Sequence, residues 1–323
     1  MFVIKVGNLK VVFCGTPLFA VPTLKAVLRA GHEVALVVTQ PDRPSGRGMV
    51  LVPPPVKETA LAAGLRVVQP DKIKKNAEFR ALLEAIAPDV ILVVAYGRIL
   101  PKWMLELPRF GNLNLHASLL PKYRGAAPIQ WAVANGEPET GITTMRLDEG
   151  LDTGEMLMQQ VMTLAPDQTS ADVFPRLAEM GAALMVKTLE GLAAGSIQPV
   201  KQEDALATYA PILSRDDGRM DFSKPAMTLY NRWRGFQPWP GAWTLLSGKK
   251  LVVHRLMPLD AGSLAGGPDD PGALRIEQER MFVRCGAETW LELVEVQLEG
   301  KKRMQAADFL RGYALKTGDR LGA

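Results

Sequence analysis

Only two cysteines, Cys14 and Cys285, occur in 323 residues, far apart and in apolar, strand-like runs. They read as reduced core residues of a cytoplasmic protein and not as a disulfide framework. Histidine is equally scarce: His32, His116 and His254 are the whole set. None stands at ligand spacing from another or from a cysteine, so no metal site is expected. Long apolar runs are missing too. A stretch such as Val90–Ala95 is strand-length, so no membrane span is expected. Met1–Lys10 lacks a continuous apolar core and a small-residue cleavage site, and reads as an untargeted start. The net charge is only +4. Basic residues exceed acidic ones by one up to Pro211 and by three from Ile212 on, which permits a polyanionic partner without demanding one.

What is present is ordinary globular material, 47% hydrophobic and 22% charged, in a chain long enough for two domains. The first half alternates short apolar runs with helical patterns. Val11–Cys14, Glu33–Thr39, Arg66–Gln69 and Asp89–Ala95 read as strands. Pro17–Ala30, Pro55–Ala63 and Asn76–Ala87 read as helices, the first two closed by Gly31 and Gly64. This alternation predicts an α/β domain with a mostly parallel sheet covered on both faces. Beyond about Ile212 the pattern changes. Trp243–Leu246 and Lys250–Arg255 flank Ser247-Gly248 as a hairpin, and Ala273–Glu277, Met281–Arg284 and Trp290–Gln297 read as further strands. A smaller all-β domain is expected, a barrel of about five strands. The expected division is 1–204, a linker at 205–214, and 215–323.

The turn after the first strand, Gly15-Thr16-Pro17, has neither the Gly-x-Gly-x-x-Gly spacing nor a phosphate-loop run, so no nucleotide cradle is expected there. The informative stretch is Asn112–Gln130. With Leu113–Ala117 as a strand, Asn114 and His116 project from one face, roughly 7 Å apart. Asp152 follows between Gly150 and Gly154, where glycines permit backbone angles that can aim a carboxylate. Acyl or formyl transfer to an amine needs a proton acceptor, an oxyanion donor and a group that orients the base. His116, Asn114 and Asp152 are of those types. The residues alone leave other roles open. A histidine beside a strand also serves as a hydrogen-bonded structural group, and Asp beside Gly caps turns. No nucleophile elbow surrounds Ser118.

These residues carry a resemblance. Asn114-Leu115-His116, Ser118-Leu119-Leu120-Pro121, Tyr123-Arg124-Gly125 and Ala127-Pro128 resemble the signature of the folate-dependent formyltransferases. Gly150-Leu151-Asp152-Thr153-Gly154 is similar to the version in the branch that acts on methionyl-tRNA. Phe13–Pro17, Thr39–Pro44, Gly46-Arg47-Gly48, Val94–Gly97 and Pro238–Gly241 agree, over nearly the whole chain. The resemblance implies a Rossmann-like domain followed by a barrel of oligonucleotide-binding type. It implies 10-formyltetrahydrofolate as the formyl donor and initiator methionyl-tRNA as the acceptor; no metal and a monomeric state are expected. Asn114, His116 and Asp152 would be catalytic. Ser118, Leu119, Leu120 and Pro121, with Val94, Ala95, Tyr96 and Gly97, would line the reduced-folate pocket. Arg43 and Arg47 would meet the tRNA, and Lys249, Lys250, Arg255, Lys301, Lys302 and Arg303 would form a phosphate track, although a solvated basic rim reads equally well. An amino-sugar formyltransferase, a hydrolase releasing formate and a non-catalytic RNA-binding module are the rival readings.

Overall fold

The computed structural model describes residues 8–45, 49–259, 262–264 and 266–322. The chain divides into two compact units. The first comprises residues up to Pro128 with Glu139–Thr163 and Val173–Ala210; the second comprises Ile129–Pro138, Leu164–Asp172 and Pro211–Ala323.

The first unit is built on a seven-stranded sheet. Its strands are β1 (Lys10–Gly15), β2 (Glu33–Val38), β3 (Val67–Val68), β4 (Val90–Val94), β5 (Asn112–His116), β6 (Glu139–Arg146) and β7 (Met156–Thr163). In space they run β7-β6-β5-β4-β1-β2-β3. The first five are mutually parallel. β6 pairs antiparallel with β5, and the edge strand β7 pairs antiparallel with β6. β4 is five apolar, mostly β-branched residues, all buried, as a central strand covered on both faces requires. One face packs Val12, Cys14, Leu36, Val38, Ile91 and Val93 against Phe79, Leu83 and Met104. Each such side chain contributes about 1.5–3 kcal/mol on burial. The strand order reverses between β1 and β4, and in an open α/β sheet this is where a ligand crevice forms.

Helix boundaries follow local chemistry. The helix α1 (Val21–Arg29) begins with Pro22 in its first turn and is followed by Gly31 at φ 86°. The helix α2 (Ala77–Ile86) is capped by Asn76, whose side chain accepts the Phe79 N–H at 2.9 Å. The long helix α3 (Ser170–Ala193) was not foreseen. Its start carries a reciprocal cap, with Thr169 N–H donating to Asp172 Oδ2 and Asp172 N–H to Thr169 Oγ1.

The second unit has an antiparallel sheet of β8 (Trp243–Leu246), β9 (Lys249–Pro258), β10 (Leu274–Glu277), β11 (Arg280–Arg284), β12 (Trp290–Leu298) and the short β13 (Met304–Gln305). The β8–β9 turn is Ser247-Gly248, both at positive φ (50° and 75°), as a two-residue hairpin turn needs. Two helices, absent from the all-β expectation, pack on this core: Ala226–Gly235 and Ala306–Gly312. The first places Ala226, Leu229, Tyr230 and Trp233 at helical spacing against the sheet. Cys14 and Cys285 are free and buried, and burial pushes both thiols up, Cys285 to about 12.

His32 supplies a test of the first unit. Its Nδ1 accepts the Leu9 N–H at 3.3 Å, and its buried Nε2 has no partner among the described residues. Burial holds its pKa below the ordinary 6.5, opposed by Glu190. The unfolded chain therefore binds the proton more readily. Stability should be full above about pH 6.5 and fall as the pH drops below it towards the folded-state pKa. Urea unfolding between pH 5 and 8 should show this slope, and His32→Gln should flatten it.

Candidate active site

β5 is the strand that carries the candidate chemistry. It lies between β4 and β6, with Asn114 level with Val93 and Met145, and His116 level with Thr143. This registry places Asn114 and His116 on one face, as the spacing predicts. His116 is buried, 5% exposed. Its Nε2 lies 2.9 Å from the Tyr123 carbonyl. A carbonyl only accepts, so Nε2 carries a hydrogen in either protonation state, and in the neutral ring the lone pair is on Nδ1. Nδ1 faces Asp152 Oδ2 at 3.7 Å. Asp152 Oδ1 accepts from Asn114 Nδ2 at 3.4 Å. The three side chains singled out in the sequence are thus one cluster.

The Tyr-Arg-Gly run explains itself atom by atom. Tyr123 takes φ 61°, with its N–H donated to Thr208 Oγ1 at 2.9 Å, and offers its carbonyl to His116. Arg124 is a buried guanidinium that donates to Gln202 Oε1 and, at 2.7 Å, to Asp204 Oδ1. Gly125 donates its N–H to Asp152 Oδ2 at 2.8 Å. Its φ is 124°, and a Cβ there would meet the Ala210 carbonyl oxygen at 2.6 Å.

The expectation about Gly150 and Gly154 needs correcting. The left-handed residue is Asp152 itself, at φ 54°. That conformation costs a non-glycine residue about 1–2 kcal/mol. The two glycines supply space instead. A Cβ on Gly150 would lie 1.9 Å from Thr153 Oγ1, and one on Gly154 would lie 1.9 Å from the Arg146 carbonyl oxygen. Gln202, which the sequence reading did not single out, donates to the carbonyls of Asp152 and Gly154.

Of the residues expected to line a folate pocket, Ala95 and Gly97 are exposed at the carboxyl end of β4, at φ 46° and 75°. Val94 and the Tyr96 ring are buried in the core. Burial also raises the Tyr96 phenol. Its carbonyl accepts from Thr16 Oγ1 and Gln40 Nε2. In the Ser118–Pro121 turn, Ser118 Oγ donates to the Lys122 carbonyl at 2.6 Å. The Ser118 carbonyl accepts from Thr143 Oγ1 at 2.7 Å, and the Leu120 carbonyl accepts from Gln159 Nε2 at 2.9 Å. Leu119 and Pro121 are half-buried. Serine is committed to the turn, in keeping with the absence of a nucleophile elbow.

The basic residues divide. Arg43 is exposed on Arg43–Ser45, which pairs with Val50–Val52. Arg47 lies outside the described residues. Leu251 pairs with Leu298, so Lys249 and Lys250 share one end of the sheet with Lys301 and Lys302. Lys250 Nζ sits 4.5 Å from the Trp243 ring centroid. Arg303 instead pairs with Glu295 and holds that carboxyl below its usual range. Arg255 is exposed and level with the same glutamate. Among the described residues, no group of three or more His, Cys, Asp or Glu could hold a metal ion. No helix among them is long and apolar enough to cross a membrane.

Comparison with known proteins matches residues 9–189 to the formyl transferase family and 212–314 to the formyl transferase C-terminal domain. The methionyl-tRNA formyltransferase of Acidobacterium capsulatum is 67% identical over 98% of this chain and 100% of its own. That of Koribacter versatilis is 58% identical over 96% and 98%. Among solved structures, an N-formyltransferase from Helicobacter canadensis, in complex with folinic acid and dTDP-3-aminofucose, superposes with TM-score 0.65 at 18% identity, over 88% of this chain and 98% of its own. HypX from Aquifex aeolicus in complex with tetrahydrofolic acid gives 0.61 at 16%, over 94% and 47%. At such identities these two likenesses concern the fold.

The Asp152 loop yields a test. Gly154→Ala forces a methyl group into the Arg146 carbonyl and must move the loop. A shift of about 1 Å costs roughly 10²-fold in rate. Turnover should fall by that order with the circular-dichroism spectrum unchanged; parent-like turnover would show that the loop does not matter.

Proposed function

The chain belongs to the formyl transferase family, and on that premise we propose that it passes the formyl group of 10-formyltetrahydrofolate to the free amino group of methionyl-initiator tRNA. The product is N-formylmethionyl-tRNA for translation initiation. The full-length likeness to methionyl-tRNA formyltransferases carries this reading. The clustering of Asn114, His116 and Asp152 supports it.

The residues suit the donor. Exposed main chain at Ala95 and Gly97, ending a buried strand, offers donors and acceptors that lose no side-chain entropy when a pterin binds. The bound folate supplies the formyl carbon. The protein's part is positional and electrostatic. His116 Nδ1 accepts the proton released as the amine attacks, and it can return that proton to the carrier nitrogen as the old C–N bond breaks. Asp152 faces the imidazolium so formed. Asn114 Nδ2 has a second N–H beyond the one turned to Asp152, and donates it to the oxygen on which charge develops. Acid–base help is worth about 10²–10⁴-fold. One oxyanion donor adds about 10²–10³.

The roles given to the folate-lining residues belong to the same proposal. So do the division into 1–204, a linker at 205–214 and 215–323, a monomeric state and a cytoplasmic location. For the tRNA we assign Arg43, Arg47 and the Lys249–Lys250–Lys301–Lys302 end of the second unit, with Arg303 and Arg255 at its margin. Among the described residues no carboxylate forms an ion pair with these four lysines, unlike Arg303, which supports their availability to phosphate.

Labelled 10-formyltetrahydrofolate, offered methionyl-tRNA, an amino-sugar nucleotide and water in parallel, decides the acceptor. Label should appear on the tRNA and drop about 10²-fold or more with Asn114→Ala or His116→Ala. Label on the sugar, or released as formate, would overturn the assignment. Alanine at Lys249, Lys250, Lys301 and Lys302 together should raise KM for tRNA and flatten its salt dependence, leaving KM for the folate unchanged.

A further inference from the structure

Gln202 reaches the Asp152 loop from 50 residues away and is buried, 4% exposed. Its Oε1 accepts from Arg124 Nε at 3.1 Å and Nη2 at 2.9 Å. A guanidinium only donates, so the amide can face Arg124 in one sense only, oxygen inward. Both Nε2 hydrogens are thereby turned to the loop. They go to the carbonyls of Asp152 and Gly154, each at 2.8 Å. Asp152 is the left-handed residue of this loop, and its carboxylate is the group poised between Asn114 Nδ2 and His116 Nδ1. Gly125 N–H donates to Oδ2, the oxygen that faces His116. Arg124 and Gly125 are adjacent, so one short segment fixes both the side chain of Asp152 and, through Gln202, its main chain.

We propose that Gln202 is a positioning residue for formyl transfer. It fixes the main chain of Asp152 so that the carboxylate stays aimed at His116, and buried Arg124 determines which way the Gln202 amide faces. This rests on the formyl-transfer reading above. Neither Gln202 nor the Arg124 side chain touches the reacting atoms in this account; both act through Asp152.

Two substitutions separate aiming from bulk support. Gln202→Met keeps the length and removes both donors. Gln202→Glu keeps a partner for Arg124 but turns acceptors towards two carbonyls. Each should lower kcat about tenfold or more, with KM for folate and for tRNA within about threefold of the parent. The decisive measurement is a double-mutant cycle with Asp152→Asn, read as single-turnover formyl transfer. In the Asp152→Asn background, Gln202→Met should cost no more than about twofold, because no carboxylate remains to be aimed. Losses that multiply across the cycle, a raised KM with unchanged kcat, or parent-like kcat in the single variants would each overturn the proposal. If Gln202→Met does not fold, Gln202→Glu carries the cycle. If the parent formylates an amino-sugar nucleotide instead of methionyl-tRNA, the functional reading fails. The same cycle read on that acceptor still decides the role of Gln202.

Discussion

The Tyr123 carbonyl accepts from His116 Nε2 at 2.9 Å, and the remainder of the site depends on that contact. It assigns the ring hydrogen, since an imidazole nitrogen facing a carbonyl must donate. The other nitrogen is left as the basic atom, turned to Asp152. Without this contact the ring could take either tautomer, and the spacing of Asn114 and His116 on β5 would not say which atom receives a proton. The carbonyl reaches the ring because Tyr123 takes a left-handed conformation, in which its N–H donates to Thr208 Oγ1. Tyr123 and Asp152, beside the His116 ring, both sit in that uncommon region, and each is tied by hydrogen bonds to chain distant in sequence. Strain held by surrounding structure is the expected form of a preorganised site.

The scaffold supplies what such a site requires. β5 is flanked on both sides, so Asn114 and His116 are mounted on a strand with little freedom to move. The Tyr123–Gly125 segment is anchored by parallel pairing with Tyr209–Ala210. The Asp152 loop connects the antiparallel strands β6 and β7. Three separate stretches of chain thus meet at Asp152: Gly125 N–H at 2.8 Å and, at a longer distance, Asn114 Nδ2 on its carboxylate, and Gln202 Nε2 at 2.8 Å on its main-chain carbonyl. The main-chain donor Gly125 costs no side-chain entropy, which suits a reaction whose rate depends on alignment.

Much of this was legible in the sequence, for identifiable reasons. The β-branched run of β4, the Gly31 and Gly64 stops and the Ser247-Gly248 turn are local signals, and local signals survive into the fold. The two-residue step from Asn114 to His116 is likewise a strand periodicity. What escaped is non-local or belongs to the main chain. The Tyr123 carbonyl and the Gly125 N–H exist in every residue type and leave no compositional trace. Gln202 is ordinary by type, and only its distant partners give it meaning. Gly150 and Gly154 were noticed for the wrong reason: their need is space against Thr153 and Arg146, which a backbone-angle argument does not see. Arg303 looked like part of a basic run until strand pairing set it beside Glu295. The helix Ala226–Gly235 carried a readable apolar spacing, overshadowed by the β-rich sequence after it.

The central claim is the tautomer of His116. Nitrogen NMR of protein with labelled histidine, assigned by comparison with a His116 substitution, reads it directly. The account predicts a hydrogen on Nε2 with Nδ1 as the proton acceptor. A neutral ring with its hydrogen on Nδ1 would contradict the account, because the Tyr123 contact would then be unmade and the proton acceptor would be the wrong atom.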